Sequence, residues 1–104
     1  MNEGKHFSID HSGLARVKGP LTLETVTIIY NQAMAEAAEG RHIGSLDLEA
    51  VSRVDSSGLA LMLEWQSAAG GAGRTLKIRN APPGLLSLVN LCEASDLLTI
   101  EGRD

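Results

Sequence analysis

The stretch SRVDSSGLALMLEWQSA, residues 52–68, decides how this chain folds. Asp55, Ser56, Ser57 and Gly58 stand in a row, and Leu59-Ala60-Leu61-Met62-Leu63 follows at once with Trp65 close behind. Asp and Ser are strong N-caps, because their side-chain oxygens accept the free N–H groups of a first helical turn. Gly58 permits close backbone approach at that turn. The segment therefore reads as a turn launching a helix.

That helix carries too much apolar surface for an ordinary amphipathic one. At ~100° per residue, Leu59, Met62, Leu63 and Ala69 cover one side. Leu61, Trp65 and Ala68 widen the apolar arc to roughly 220°, where a surface helix shows a stripe nearer ~100°. Only Glu64 and Ser67 fall firmly on the wet side. Two explanations stay open: the first helix packs alongside, or part of this face meets another protein. Trp65 is the chain's only Trp, and Trp is enriched at interface hot spots.

The serines add a second property. A hydroxyl at a helix N-terminus sits where backbone N–H groups and the dipole favour negative charge. It can hydrogen-bond a partner, or carry phosphate and add about −1.5 to −2 charges. Beside Asp55, that charge would repel an acidic partner or block an apolar one, which suits a docking switch. No nucleophile–base pair lies nearby in sequence, so the turn does not read as catalytic.

Outward from this segment, HFSIDHSGLARVKG alternates like two strands around a turn at Ser12-Gly13, and Gly19-Pro20 ends the unit. In LTLETVTIIYNQAMAEAAEGR, Val26, Ile29, Tyr30, Ala33 and Ala37 fall on one helical face, with Thr22 as cap and Gly40 at the end. IGSLDLEAV reads as a buried strand, GGAG at 70–73 as a break and RTLKIRN as a strand. Pro82-Pro83 opens a third helix, and DLLTI at 96–100 is a last strand. The order β-β-α-β-α-β-α-β predicts an α/β fold: a mixed sheet of about five strands with three main helices.

Bulk properties narrow the function classes. A length of 104 residues suits one domain, read as 1–104, and an apolar fraction of 43% is too high for disorder. Net charge is −4 and the nine basic residues form no block, which argues against nucleic acid. A single cysteine, Cys92, rules out an internal disulfide and fits a reducing, cytoplasmic compartment. MNEGKHFSIDHSG lacks the apolar core of a signal peptide, and no run reaches the ~18 apolar residues of a membrane span. Work at a membrane is therefore expected to go through another protein.

The weaker signals resolve blandly. AAGGAGRT lacks the first Gly and the Lys of a phosphate-binding loop, and a strand follows where a helix should. His6, His11 and His42 are scattered, so no metal site is expected. Cys92 reads as a small core residue. Asp10, Asp47 and Glu49 are expected to face solvent, as are Arg74, Lys77 and Arg79.

LDLEAVSRVDSSGLALMLEW resembles the signature of STAS domains, the fold of anti-sigma factor antagonists, and the element order is similar over about residues 6–101. In the antagonists, the Ser directly after the Asp is phosphorylated by a partner kinase; that position is Ser56, while Ser57 matches a variable small residue. Ala60 after Gly-Leu, the run GLALMLEW and the tail IRNAPPGLLSLVNLCEASDLL resemble the MlaB-like branch. This resemblance implies a non-catalytic subunit without cofactor or metal. It would bind the ATPase of a phospholipid-transporting Mla-type ABC system that maintains outer-membrane lipid asymmetry, and through it the permease. Such a subunit is cytoplasmic, held at the inner-membrane face by its partners and not inserted itself. Asp55, Ser56, Ser57, Gly58, Leu61 and Trp65 are the expected docking and switch residues. The alternative is an anti-sigma factor antagonist switched by a kinase at Ser56.

Overall fold

In the computed structural model, which describes residues 6–101, the alternation at the start of the chain becomes a hairpin. β1 (Phe7–Ile9) runs antiparallel to β2 (Leu14–Val17), with Phe7 opposite Val17 and Ile9 opposite Ala15. Asp10 shapes the connection: its Oδ1 accepts the N–H groups of Ser12 at 2.8 Å and Leu14 at 3.1 Å. Gly13 adopts a φ of 89°, a left-handed conformation that glycine takes without a Cβ clash.

The remaining elements are β3 (Gly19–Leu21), α1 (Val26–Ala38), β4 (Ser45–Asp47), β5 (Val51–Val54), α2 (Ser56–Gly71), β6 (Lys77–Arg79), α3 (Pro83–Leu91) and β7 (Thr99–Ile100), with one 3₁₀ turn at Ser95–Leu97. The main sheet has the order β1-β2-β4-β6-β7, and every pairing after the hairpin is parallel. The fold is thus the expected mixed α/β arrangement of three helices and a five-stranded sheet.

One piece departs from expectation. β3 and β5 form a separate two-stranded parallel ribbon. Gly19-Pro20 does not end a unit; it opens β3. The single strand expected over residues 43–51 is β4 at Ser45–Asp47, and its last residue, Val51, starts a new strand, β5, which runs on through the stretch expected to be turn. Strands of three or four residues carry too few alternations to stand out. Pro also lacks the donor a central strand needs, yet is tolerated where strands pair on one side only.

Burial follows the strand period. Phe7, Ala15, Val17, Leu46 and Ile78 are buried toward the helices, while Ser8, Arg16, Lys77 and Arg79 are exposed. Ile29 and Ala33 are the buried residues of α1, Leu85 and Val89 those of α3. α2 packs against both α1 and α3 and so lies in the middle of the helical layer. This settles the wide apolar arc: the first helix does pack alongside.

Four local expectations are corrected. Thr25, not Thr22, precedes the first helical residue of α1; its Oγ1 donates to Pro20 O at 2.8 Å and accepts the Thr22 N–H at 3.0 Å. Asp47 is buried instead of facing solvent. It accepts the Asn80 amide at 2.9 Å and the Glu49 N–H at 3.0 Å, and lies 3.5 Å from Arg16. Cys92 follows α3 as an exposed residue, not a core one. Arg74 lies before β6, whereas Lys77 and Arg79 are exposed on it and face Glu101 at 3.8 and 3.6 Å.

Candidate functional site: the Asp55–Ser56 turn

The ribbon explains why the Asp-Ser-Ser-Gly sequence is needed. β5 delivers the chain to Asp55, whose extended backbone breaks the strand and starts α2. Its Oδ1 accepts the N–H groups of Ser57 at 2.9 Å and Gly58 at 3.2 Å, the second and third residues of the helix. Its Oδ2 accepts the Leu23 N–H at 3.0 Å, in the loop after β3. The carboxylate therefore clamps α2 to the β3–α1 loop. Burial pushes its pKa up, but the N–H groups of Leu23, Gly58, Ser57 and Asp55 itself outweigh that and hold it below its ordinary value.

Gly58 is the second fixed point. A Cβ there would sit 2.3 Å from Leu21 O, 2.9 Å from Leu21 Cγ and 3.0 Å from Val54 Cγ1. Backbone from β3 thus lies directly against the first turn of α2, at a distance that only glycine permits.

Ser56 sits between these anchors and is exposed, with no hydrogen bond from its hydroxyl among the described residues. Ser57 is half-buried. It borders a shallow depression of about 300 Å³ between α1 and α2, formed with Val26, Thr27, Tyr30, Ala60 and Leu61. Leu61 is 7% exposed and so contributes only the floor.

Trp65 does not belong to this surface. Its ring packs on Phe7, centroids 5.8 Å apart at 48°, and only 9% of the residue is exposed. The expectation of an exposed Trp65 anchor is corrected, because the ring turns inward against Phe7 of β1. What the sequence reading missed is exposed apolar surface on the β3–α1 loop and on α1, of which Tyr30 lines that depression. Leu23 is 70% exposed, Met34 52%, Ile28 41% and Tyr30 37%. Tyr30 was expected to face the core. The spacing of Tyr30 and Met34, four apart and flanking the buried stripe of Ile29 and Ala33, is the signal that distinguishes this second strip.

The turn thus presents a hydroxyl at a helix N-terminus, a fixed carboxylate turned inward, and exposed apolar side chains on the neighbouring loop and helix. It has the chemistry of a contact surface.

Comparison with known proteins bears on the fold and the family. A candidate anti-sigma factor antagonist of Thermotoga maritima superposes with a TM-score of 0.76 at 14% identity, covering 93% of this chain and 85% of that one. The anti-sigma factor antagonist SpoIIAA in its unphosphorylated form gives a TM-score of 0.65 at 16% identity, covering 94% of this chain and 87% of that one. At these identities the likeness shows a shared fold. No curated protein sequence matches this chain. The family described as Mlab, STAS domain, matches residues 8–99. STAS domains act through protein–protein contacts. The chain belongs to the MlaB-like STAS domains.

Proposed function

We propose that this chain, as a single STAS domain over residues 1–104, is a non-catalytic subunit that binds the ATPase of a phospholipid-transporting Mla-type ABC transporter. The Ser56 turn and the apolar surface of Leu23 and Tyr30 beside it form the docking surface. The observation that carries this reading is the exposure of Ser56 next to that apolar surface, on a turn whose own carboxylate is already occupied by backbone. A pre-ordered apolar patch with a polar centre suits a stable protein contact. No helix among the described residues is long and apolar enough to cross a membrane. In this reading the chain takes no cofactor and stays on the cytoplasmic side, reaching the inner membrane and the permease only through the ATPase. Affinity capture of the tagged chain from its native cells tests it. Recovery of an ABC ATPase with its permease supports the reading, and recovery of a sigma-factor regulator in their place overturns it.

A second reading is favoured by the same exposed hydroxyl. The chain is then an anti-sigma factor antagonist, released or engaged by phosphorylation at Ser56. A co-encoded serine kinase would label the chain, and Ser56→Ala would abolish the label. Absence of label with every such kinase removes this alternative.

A further inference from the structure

A second concavity lies at the opposite end of the α1–α2 pair. It begins about one helical turn beyond the depression beside Ser57, at Trp65 after Leu61 on α2 and at Met34 after Tyr30 on α1, and shares no lining residue with it. It is a slot of about 120 Å³. Its walls are Ala33 and Ala37 of α1 with Ala68 and Ala69 of α2, small side chains that leave space between the helices, and Trp65 closes its floor. Met34, half exposed and flexible, stands at its rim. An apolar cavity of roughly 150 Å³ admits benzene, so a slot of this size accepts a short length of hydrocarbon.

Two arginines stand at the mouth of the slot. Arg41, His42 and Arg74 line both the slot and an adjoining polar hollow of about 330 Å³. Of the carboxylates near this mouth, Glu36 is paired with Arg41. Asp10, which borders the hollow, is held by Ser12 and Leu14. Arg74 donates from Nη1 to Ile43 O at 3.3 Å and has no carboxylate partner among the described residues. A guanidinium carries five N–H donors, so most of its capacity stays open to an anion.

A neutral apolar guest would leave this cation unused, and a small anion would leave the slot unfilled. We propose that the site binds a fatty-acid carboxylate. The carboxylate lies at Arg74, and the adjoining carbons lie in the slot between α1 and α2 over Trp65.

Because Trp65 is the only Trp, its fluorescence reports occupancy. The full chain is titrated with decanoate below its micelle threshold, with 1-decanol and acetate in parallel. Arg74→Glu and Ala68→Leu change exposed residues, and circular dichroism verifies their folding; Arg74→Gln and Ala37→Leu replace any variant that fails to fold. The expected result is a saturable change with decanoate, binding at least about tenfold weaker with 1-decanol and with each variant, and no response to acetate. Three results would overturn the proposal. They are no saturable response to decanoate, equal binding of 1-decanol with no loss in the Arg74 variant, or undiminished binding when Ala68→Leu fills the slot.

Discussion

Asp55 and Leu23, 32 positions apart, are joined by a 3.0 Å hydrogen bond from the Leu23 N–H to the carboxylate that also caps α2. One side chain therefore sets both the start of the central helix and the position of the exposed leucine beside Ser56. Replacing an N-cap by Ala costs roughly 0.5–2 kcal/mol. Asp55→Ala should lie in the upper part of that range, because it frees a third N–H. Urea unfolding measures this, and an unchanged midpoint would mean that the clamp contributes nothing.

Acid should weaken the fold through the same group. Asp55 is held below its ordinary pKa against the upward push of burial. Asp47 is lowered first by the Asn80 amide, again against burial, then by the Glu49 N–H and by Arg16 and Arg79. A carboxylate lowered in the folded state stabilises it fully above the unfolded-state pKa. That stability is lost as pH falls from the ordinary carboxylate value through the lowered one. Unfolding free energy measured from about pH 6 to about pH 2 should therefore decline toward acid, and Asp55→Asn should flatten the decline. An Asp55→Asn curve parallel to the parent would contradict the assignment.

Gly58→Ala tests the contact between β3 and α2. Ala favours a helix interior over Gly by about 1 kcal/mol, so an unconstrained site would gain stability. Here the new methyl meets Leu21 O at 2.3 Å. Overpacking of this kind costs about 1–3 kcal/mol, and the net change should be destabilising. A rise in melting temperature would show that β3 does not press on the helix.

Trp65 separates stability from binding. Removing a buried Trp costs about 3–5 kcal/mol, so Trp65→Ala should depress the unfolding midpoint strongly. Trp65→Phe keeps an aromatic ring against Phe7 and should bind the partner as the parent does. Loss of binding in a folded Trp65→Phe protein would return Trp65 to the docking surface.

The three helices and the sheet were legible because each leaves a periodic mark: the stripe of Val26, Ile29 and Ala33, the alternation around Leu76 and Ile78, the proline at the head of α3. The turn was legible as well, since Asp55 and Gly58 suit few other places. The β3–β5 ribbon was not, because its strands are too short to repeat. Nor were the fates of Trp65, Asp47 and Cys92. Each depends on what lies across from it in space: Phe7 meets the Trp65 ring, Asn80 reaches Asp47 from another strand's end, and Cys92 is left exposed. A helical wheel gives the direction of a side chain and not its neighbour.

The central claim is that the exposed Ser56 turn is a docking surface, and Ser56→Glu tests it most directly. An acid is tolerated at the first helical position by the dipole, so unfolding free energy should stay within about 0.5 kcal/mol of the parent. Affinity for the purified ATPase subunit, measured by titration calorimetry, should fall by about 2 kcal/mol or more, some thirtyfold. A folded Ser56→Glu protein that binds the ATPase as tightly as the parent would contradict the account.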